Sequence, residues 1–436
     1  MSLLRNPTVR RVSLNVAALG IERFARLLVV LLVTAAVGRH LGVEQFGLYS
    51  AIFSLCTLFA LSADLGIGRV VVRDLVTGDH QPGTLLGTAV AMRLGASFLL
   101  GAIAVGTVAL SFPGRGPDPF LLGLCFALGY FFRASDAVDL GFQAVTQGHY
   151  PAFGRMISLV LGAGFQWWLI QKGAGIRAFA GAFALEGLLM ALILAFVWIR
   201  FGPQPFRQWK IQPATGQRVL AESWPMFVAF LYTQVYFRID ILLLEKMTGS
   251  AQAGLYSASS RIYDILIGVL PLLSVSLFPT LTHWYREDRQ AFTRRYTQLT
   301  KWITWAGAAG LLLIWFLRHH IVRLIFGPDF AGAANILPWH LASALIMYHC
   351  LFRAAYLTLA QRQIVLLWTS LLGAIVNVAL NLVLIPKLGA QGAAIAGTLT
   401  QIVAHILSNA LSHDTRWILK VSARTLLLPM RRFSCP

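Results

Sequence analysis

The sequence predicts an all-α membrane protein that crosses the bilayer about twelve times, in two pseudo-symmetric lobes of six helices. Three observations predict this. The chain of 436 residues is 57% hydrophobic and only 12% charged, where a soluble chain carries about 25% charge. Apolar runs recur along it at about the 20 residues that a spanning helix needs. The chain also echoes itself. LGVEQFGLYS, from Leu41 to Ser50, returns as TGSAQAGLYS, from Thr248 to Ser257, with Gly47 falling on Gly254 at an offset of 207 residues. KGAGIRAFAGAF, from Lys172, returns as LGAQGAAIAGTL, from Leu388, at an offset of 216 with five identities, Gly173/Gly389 and Gly181/Gly397 among them. Two echoes in the same order at nearly the same offset point to a doubled chain.

Twelve spans follow in order, at 14–37, 48–67, 84–112, 120–145, 151–170, 178–201, 219–244, 254–281, 299–317, 336–360, 363–386 and 391–411. The first begins behind a basic flank, MSLLRNPTVRR. Its apolar stretch is too long for a signal-peptide core and carries Glu22, Arg23 and Arg26, so it reads as a retained helix. Breaks separate the spans at Gln81-Pro82-Gly83, at Pro113 to Pro117, at Gly202-Pro203 and at Gly327-Pro328. With the N-terminus inside, the inner segments hold 20 Lys and Arg and the outer segments 8. This bias places both termini in the cytoplasm. Six is even, so both halves enter from the same side and should be parallel repeats about an axis along the membrane normal. The expected lobes are 1–206 and 207–413, followed by a basic cytoplasmic tail, 414–436, suited to the interface of an anionic membrane.

The formal charge of +19 would suggest nucleic acid on a soluble protein. Here basic cytoplasmic loops account for it, and no nucleic-acid partner is expected. The four cysteines show neither zinc nor redox spacing. There is no G-x-x-x-x-G-K-[ST], H-E-x-x-H or G-x-S-x-G, and no inter-span loop exceeds about 20 residues. That excludes an ATP-hydrolysing loop in this chain and leaves little room for a catalytic domain. No enzyme activity, metal or cofactor is expected.

The informative residues are the charges inside the spans. Arg23, Arg26, Arg93, Arg133, Arg155, Arg238, Arg261 and Arg353 lie there with Glu22, Asp64, Asp136, Asp139, Glu186, Asp240 and Asp264. Each costs about 2.5–3.5 kcal/mol at the bilayer centre on insertion scales, so these groups pair, snorkel or line a wet cavity. Helical spacing couples Glu22 with Arg26, Arg133 with Asp136, and Arg261 with Asp264. Arg155, near a helix end, is expected to snorkel. Arg23, Arg93, Arg238 and Arg353 have no acid on the same helix that uses up their charge. A guanidinium fork matches phosphate oxygens in a bidentate way, so a cavity with several such arginines suits a pyrophosphate. The candidate substrate residues are Arg23, Arg26, Arg93, Arg133, Arg238, Arg261 and Arg353; the candidates for ion coupling or gating are Glu22, Asp64, Asp240 and Asp264. Internal ion pairing is the competing reading for the spaced pairs. His349 could line the same cavity or be a packing histidine.

GRHLGVEQFGLYS, ADLGIGRVVVRDL from Ala63, FRIDILLLEKMTGSAQAGLYSASSRIYDIL from Phe237, and LVLIPKLGAQGAAIAGTLTQ from Leu382 resemble bacterial oligosaccharide flippases. These O-antigen and exopolysaccharide repeat-unit translocases belong to the multidrug/oligosaccharidyl-lipid/polysaccharide exporter superfamily. The resemblance implies two six-helix lobes set as a V, a cationic cavity, and movement of an undecaprenyl-pyrophosphate-linked oligosaccharide between leaflets of the bacterial inner membrane. It also implies coupling, in many members, to a proton or Na+ gradient, and work alongside a polymerase and a chain-length regulator. By motif, Asp64, Arg73, Arg238, Asp240 and Arg261 fall on positions typical of these proteins. Many members have 14 helices, so the lipid-tail groove built by the extra pair is not expected here. A multidrug/cation antiporter of the same superfamily ranks second, because cationic drugs favour acidic cavities. A membrane glycosyltransferase, polymerase or ligase ranks third, for want of a large outer loop.

Overall fold

The computed structural model describes the backbone of residues 7–78 and 81–427, and the side chains of 24–78, 81–228, 230–274, 276–425. Among these residues the regular structure is helix, with no strand. That is the form a bilayer enforces, since each backbone N–H and C=O must find its partner within the segment. The first half comprises α1 (Pro7–Ser62), α2 (Gly68–Thr77), α3 (Pro82–Ser111), α4 (Asp118–Arg133), α5 (Asp139–Ala144), α6 (His149–Gln171) and α7 (Ile176–Phe201). The second comprises α8 (Pro213–Thr248), α9 (Ser250–Gly268), α10 (Leu270–Glu287), α11 (Arg289–Phe326), α12 (Ala333–His349), α13 (Arg353–Leu359) and α14 (Gln363–Gln401). A last helix, α15 (Arg416–Leu427), ends the described chain.

Eight helices among the described residues are long and apolar enough to cross a membrane, and ten if two bent pairs each count as one span. The two longest are hairpins. α1 breaks at Gly42 (φ 75°, ψ 170°). Leu27 before the break lies against Gly268, and Phe53 after it lies under the Arg261 guanidinium. Both arms therefore run back along the inner part of α9. α14 breaks at Gly389 (φ 55°, ψ −134°). A Cβ on Gly373 would meet Ala404 at 3.1 Å, and one on Gly392 would meet the Leu384 carbonyl, so the arms lie side by side. Two hairpins and eight single spans make the twelve crossings the sequence predicts.

The turns sort to two ends. At one end Arg39 donates to the Leu324 carbonyl and Lys246 to the Ser111 carbonyl. There His40 Nε2 lies 2.9 Å from the Ala174 oxygen, and the Ala390 N–H donates to Gln252 Oε1 at 3.1 Å. At the other end, Asp74 of α2 pairs with Arg218 at 2.8 Å, and Arg362 pairs with Asp414 at 2.8 Å. These are the alternating ends that successive crossings require, and the second is the basic one.

The duplication is visible in backbone angles. Gly42 and Gly249, 207 residues apart, share φ of 75° and 90° and ψ of 170° and 172°. Gly116-Pro117-Asp118 and Gly327-Pro328-Asp329 form a third matching turn, with positive φ at both glycines.

Three spans are less regular than the sequence suggests. The span expected at 120–145 ends as helix at Arg133, tightens over Ala134–Val138 and resumes in α5. Ser135 and Asp136 sit at that break, and such side chains compete with the backbone for hydrogen bonds. The span expected at 254–281 divides into α9 and α10 beside Gly268 and Pro271, where proline withholds an N–H. The span expected at 336–360 divides at Cys350–Phe352 into α12 and α13. The amphipathic α2, expected as loop, packs Val70 and Val71 inward behind Ile67.

Candidate functional site

A cavity of about 450 Å³ opens where α1, α3, α4, α6, α7 and α9 meet, within the range of about 300–1,000 Å³ usual for ligand sites. Its walls carry five arginines, Arg26, Arg93, Arg133, Arg155 and Arg261, against three acids, Asp64, Asp136 and Glu186. Between these charges stand Tyr49, Phe53, Tyr130 and Phe183. The Arg133 guanidinium lies 4.5 Å from the Phe183 ring centre and that of Arg261 lies 5.5 Å from Phe53. Cation–π contact of this kind helps hold a guanidinium in place.

The pairing differs from what spacing along single helices suggests. Arg133 pairs with Glu186 of α7 at 2.6 Å, not with Asp136. Arg155 does not snorkel. It turns inward to Asp136 at 2.8 Å and Asp139 at 3.2 Å. Arg93 is bound by Asp64 from the end of α1. Arg261 and Asp264 do meet as their spacing implies, at 3.7 Å. Partners one turn away on the same helix lose to partners on a facing helix, because the bundle brings the latter into direct line. Glu186 belongs in the cavity, although nothing in its local sequence sets it apart from the other intramembrane acids.

A smaller cavity of about 40 Å³ lies in the second half, lined by Arg238, Asp240, Tyr256, Asp264, His340 and Gln401 among others. Asp240 is 4% exposed. It accepts from Tyr256 Oη at 2.6 Å and from Asn381 Nδ2 at 2.7 Å, and Asn381 also donates to Asn377 at 3.1 Å. The Nε of Arg238 and the Oδ1 of Asn381 are buried with no hydrogen-bond partner. Both asparagines are wholly buried. Two asparagines four residues apart inside an apolar run were the available sequence signal for this cluster.

Arg353 is not among the residues lining either cavity. It is 2% exposed and donates to Asn409 Oδ1 at 2.8 Å and Ser408 Oγ at 3.3 Å. His349, on the preceding turn, packs between Thr304 and Ser422 at 3.1 and 2.8 Å. The side chains of Glu22 and Arg23 lie outside the described residues. The structure thus brings together Arg26, Arg93, Arg133, Arg261 and Asp64 around one cavity, and Arg238, Asp240 and Asp264 around the second.

Comparison with known proteins adds the family. The family described as "Polysaccharide biosynthesis protein" matches residues 13–284. The family described as "Lipid II flippase MurJ" matches residues 150–427. The chain belongs to the oligosaccharide flippases of the multidrug/oligosaccharidyl-lipid/polysaccharide exporter superfamily. Flippases of this kind in Haloferax volcanii are similar along most of their length. A probable low-salt glycan biosynthesis flippase, Agl15, is 22% identical over 86% of this chain and 79% of its own. A probable flippase, AglR, is 25% identical over 86% and 78%. Among solved structures, a lipid II flippase MurJ in an inward closed conformation aligns with a TM-score of 0.73 at 15% identity, covering 93% of this chain and 90% of that one. An inward-facing multidrug resistance MATE family transporter aligns at 0.69 and 15% identity, covering 94% and 100%. At these identities the structural likeness establishes the fold, which this flippase shares with both.

Proposed function

We propose that this flippase moves a polyprenyl-pyrophosphate-linked oligosaccharide across the bacterial inner membrane during cell-surface polysaccharide synthesis, by alternating access and without a covalent step. The observation that carries the proposal is the composition of the larger cavity. It lies within a membrane bundle, its walls hold five arginines and three carboxylates, and its aromatic faces stand between them. The guanidinium forks suit the pyrophosphate, while the ion pairs and rings offer hydrogen bonds and flat apolar faces to sugars. The prenyl chain stays in lipid. The excess of Lys and Arg in alternate loops supports cytoplasmic termini. Delivery of the flipped unit to a polymerase and a chain-length regulator belongs to the same reading.

A coupling proton or Na+ is assigned here to the smaller cavity. The Asp240 carboxylate and the unpartnered Asn381 Oδ1 are hard oxygen donors of the type that small cations take. Asp64 and Asp264 already face arginines, and Glu22 lies outside the described side chains.

The test is translocation of a lipid-linked oligosaccharide in proteoliposomes. The intact protein should flip it. Arg26→Ala and Arg261→Ala, in the larger cavity, should fold and lose at least tenfold in rate, whereas Asp240→Asn should lose its dependence on the cation gradient. Normal flipping by folded arginine variants would remove the pyrophosphate role. Transport of a cationic dye in place of the lipid would favour the antiporter.

A further inference from the structure

The two halves touch at the less basic end through residues that are one another's repeats. A Cβ on Gly47 would stand 1.8 Å from the Ser250 carbonyl oxygen, and one on Gly254 would stand 2.1 Å from the Val43 carbonyl oxygen. The offset of 207 that takes Gly47 to Gly254 also takes Val43 to Ser250. Each glycine therefore seats on the backbone of its partner's helix, as in a two-fold interface. The same offset takes Arg39 to Lys246. Arg39 donates to Leu324 near the end of α11, and Lys246 donates to Ser111 at the end of α3. Both contacts cross between halves, and Arg115 adds a third crossing to Glu245 at 2.5 Å. Beneath them Phe46 packs edge-on against Phe330 at 5.7 Å.

We infer that Gly47 and Gly254, with Arg39 and Lys246, form a two-fold-related seal that closes the less basic end of the central cavity and parts when that end opens. Fold neighbours have been captured in inward-facing and outward-facing conformations, so this architecture has two states for such a seal to distinguish. The obstacle to any side chain at either glycine is a main-chain carbonyl, which cannot rotate aside. A methyl group there penalises only the state in which the helices touch, and a penalty confined to one state shifts the population toward the other. Two packed halves exchange between discrete arrangements, so the shift reads as opening. The inference depends on exchange between two states and not on what is carried.

The experiment uses the full chain with Cys56, Cys125, Cys350 and Cys435 replaced by Ser and a single reporter, Ser97→Cys, in the wall of the larger cavity. A membrane-impermeant maleimide is added from the less basic side, and labelling rates are compared in variants that elute as a single species. Gly47→Ala and Gly254→Ala should each raise the rate at least tenfold. Arg39→Gln with Lys246→Gln, which adds no bulk, should raise it several-fold. Gly95→Ala, whose Cβ meets nothing within 4 Å, should leave it unchanged. Parental rates in the folded glycine variants would overturn the seal, as would an equal rise in Gly95→Ala. Were the glycine variants to misfold, a parental rate in the Arg39/Lys246 variant would overturn it alone. Labelling needs no cargo, so a failure here is distinct from failure of the flippase reading.

Discussion

Arg133 shows what a charge inside the bundle requires of its neighbours. It meets Glu186 at 2.6 Å, with side-chain exposures of 31% and 12%. Losing the arginine leaves the carboxylate nearly desolvated, and breaking a fully buried pair costs about 3–5 kcal/mol. Because Arg133 is partly wet, Arg133→Ala should cost less, roughly 2 kcal/mol, seen as a lower unfolding temperature in detergent. Arg133→Met combined with Glu186→Met should recover most of the loss. If the double variant is as unstable as the single, desolvation of Glu186 is not the cause. Asp74 makes the corresponding case outside the membrane spans. Burial would raise its pKa, but hydrogen bonds from Arg73 and Arg218 outweigh burial and hold it below the usual aspartate value. A depressed native pKa adds stability that is fully present above the unfolded value of about 3.9 and is lost as pH falls through the native value. Stability should therefore decline as pH falls below about 4, and Asp74→Asn should lower stability at neutral pH and flatten that decline. Thermal melts of both proteins across pH measure this.

Among the elements, the hairpin turn at Gly42 isolates a backbone effect. Its φ of 75° and ψ of 170° lie in a region that only glycine occupies cheaply, at about 1–3 kcal/mol for other residues. A Cβ there meets nothing within 4 Å, so the cost is purely conformational. Gly42→Ala should destabilise by about 1–3 kcal/mol, with chemical denaturation as the readout, and Gly42→Asn should do no better, since asparagine tolerates positive φ at left-handed helical ψ and not at a ψ of 170°. Equal stability of Gly42→Ala would mean that the turn adopts another conformation. The broken fourth span has a different purpose. Along and just after its tightening over Ala134–Val138, Asp136 and Asp139 meet Arg155 at 2.8 and 3.2 Å.

For the whole molecule, the proposed alternating access requires that contacts between the halves break in turn. At the basic end Arg73 of α2 meets Glu222 of α8 at 2.6 Å, and Asp74 meets Arg218 at 2.8 Å. Arg73→Cys with Glu222→Cys, joined by a short cleavable bis-maleimide, should stop transport, and cleavage of the linker should restore it. Undiminished transport by the cross-linked protein would show that the two elements stay together through the cycle.

Much of this was legible in the sequence. Apolar periodicity fixes spans because lipid supplies no hydrogen bonds to an unfolded segment, so twelve crossings and the doubling could be read from composition and from LGVEQFGLYS and its echo. Arg93, Arg133 and Arg261 were identifiable as charges that must face inward, since each is too costly in lipid. Which acid each one meets was not identifiable. Spacing along one helix suggested Arg133–Asp136, but distance in the bundle chose Arg133–Glu186. It likewise placed Arg353 against Asn409 and away from the cavity, and drew Arg155 inward. The sequence by itself determined the membrane crossings, their number and the kind of residues that line the interior, because these follow from transfer into lipid one residue at a time. Only the tertiary structure decided the partners, because an ion pair depends on which side chains face each other across helices far apart in the chain, and that is set by how all the helices pack together.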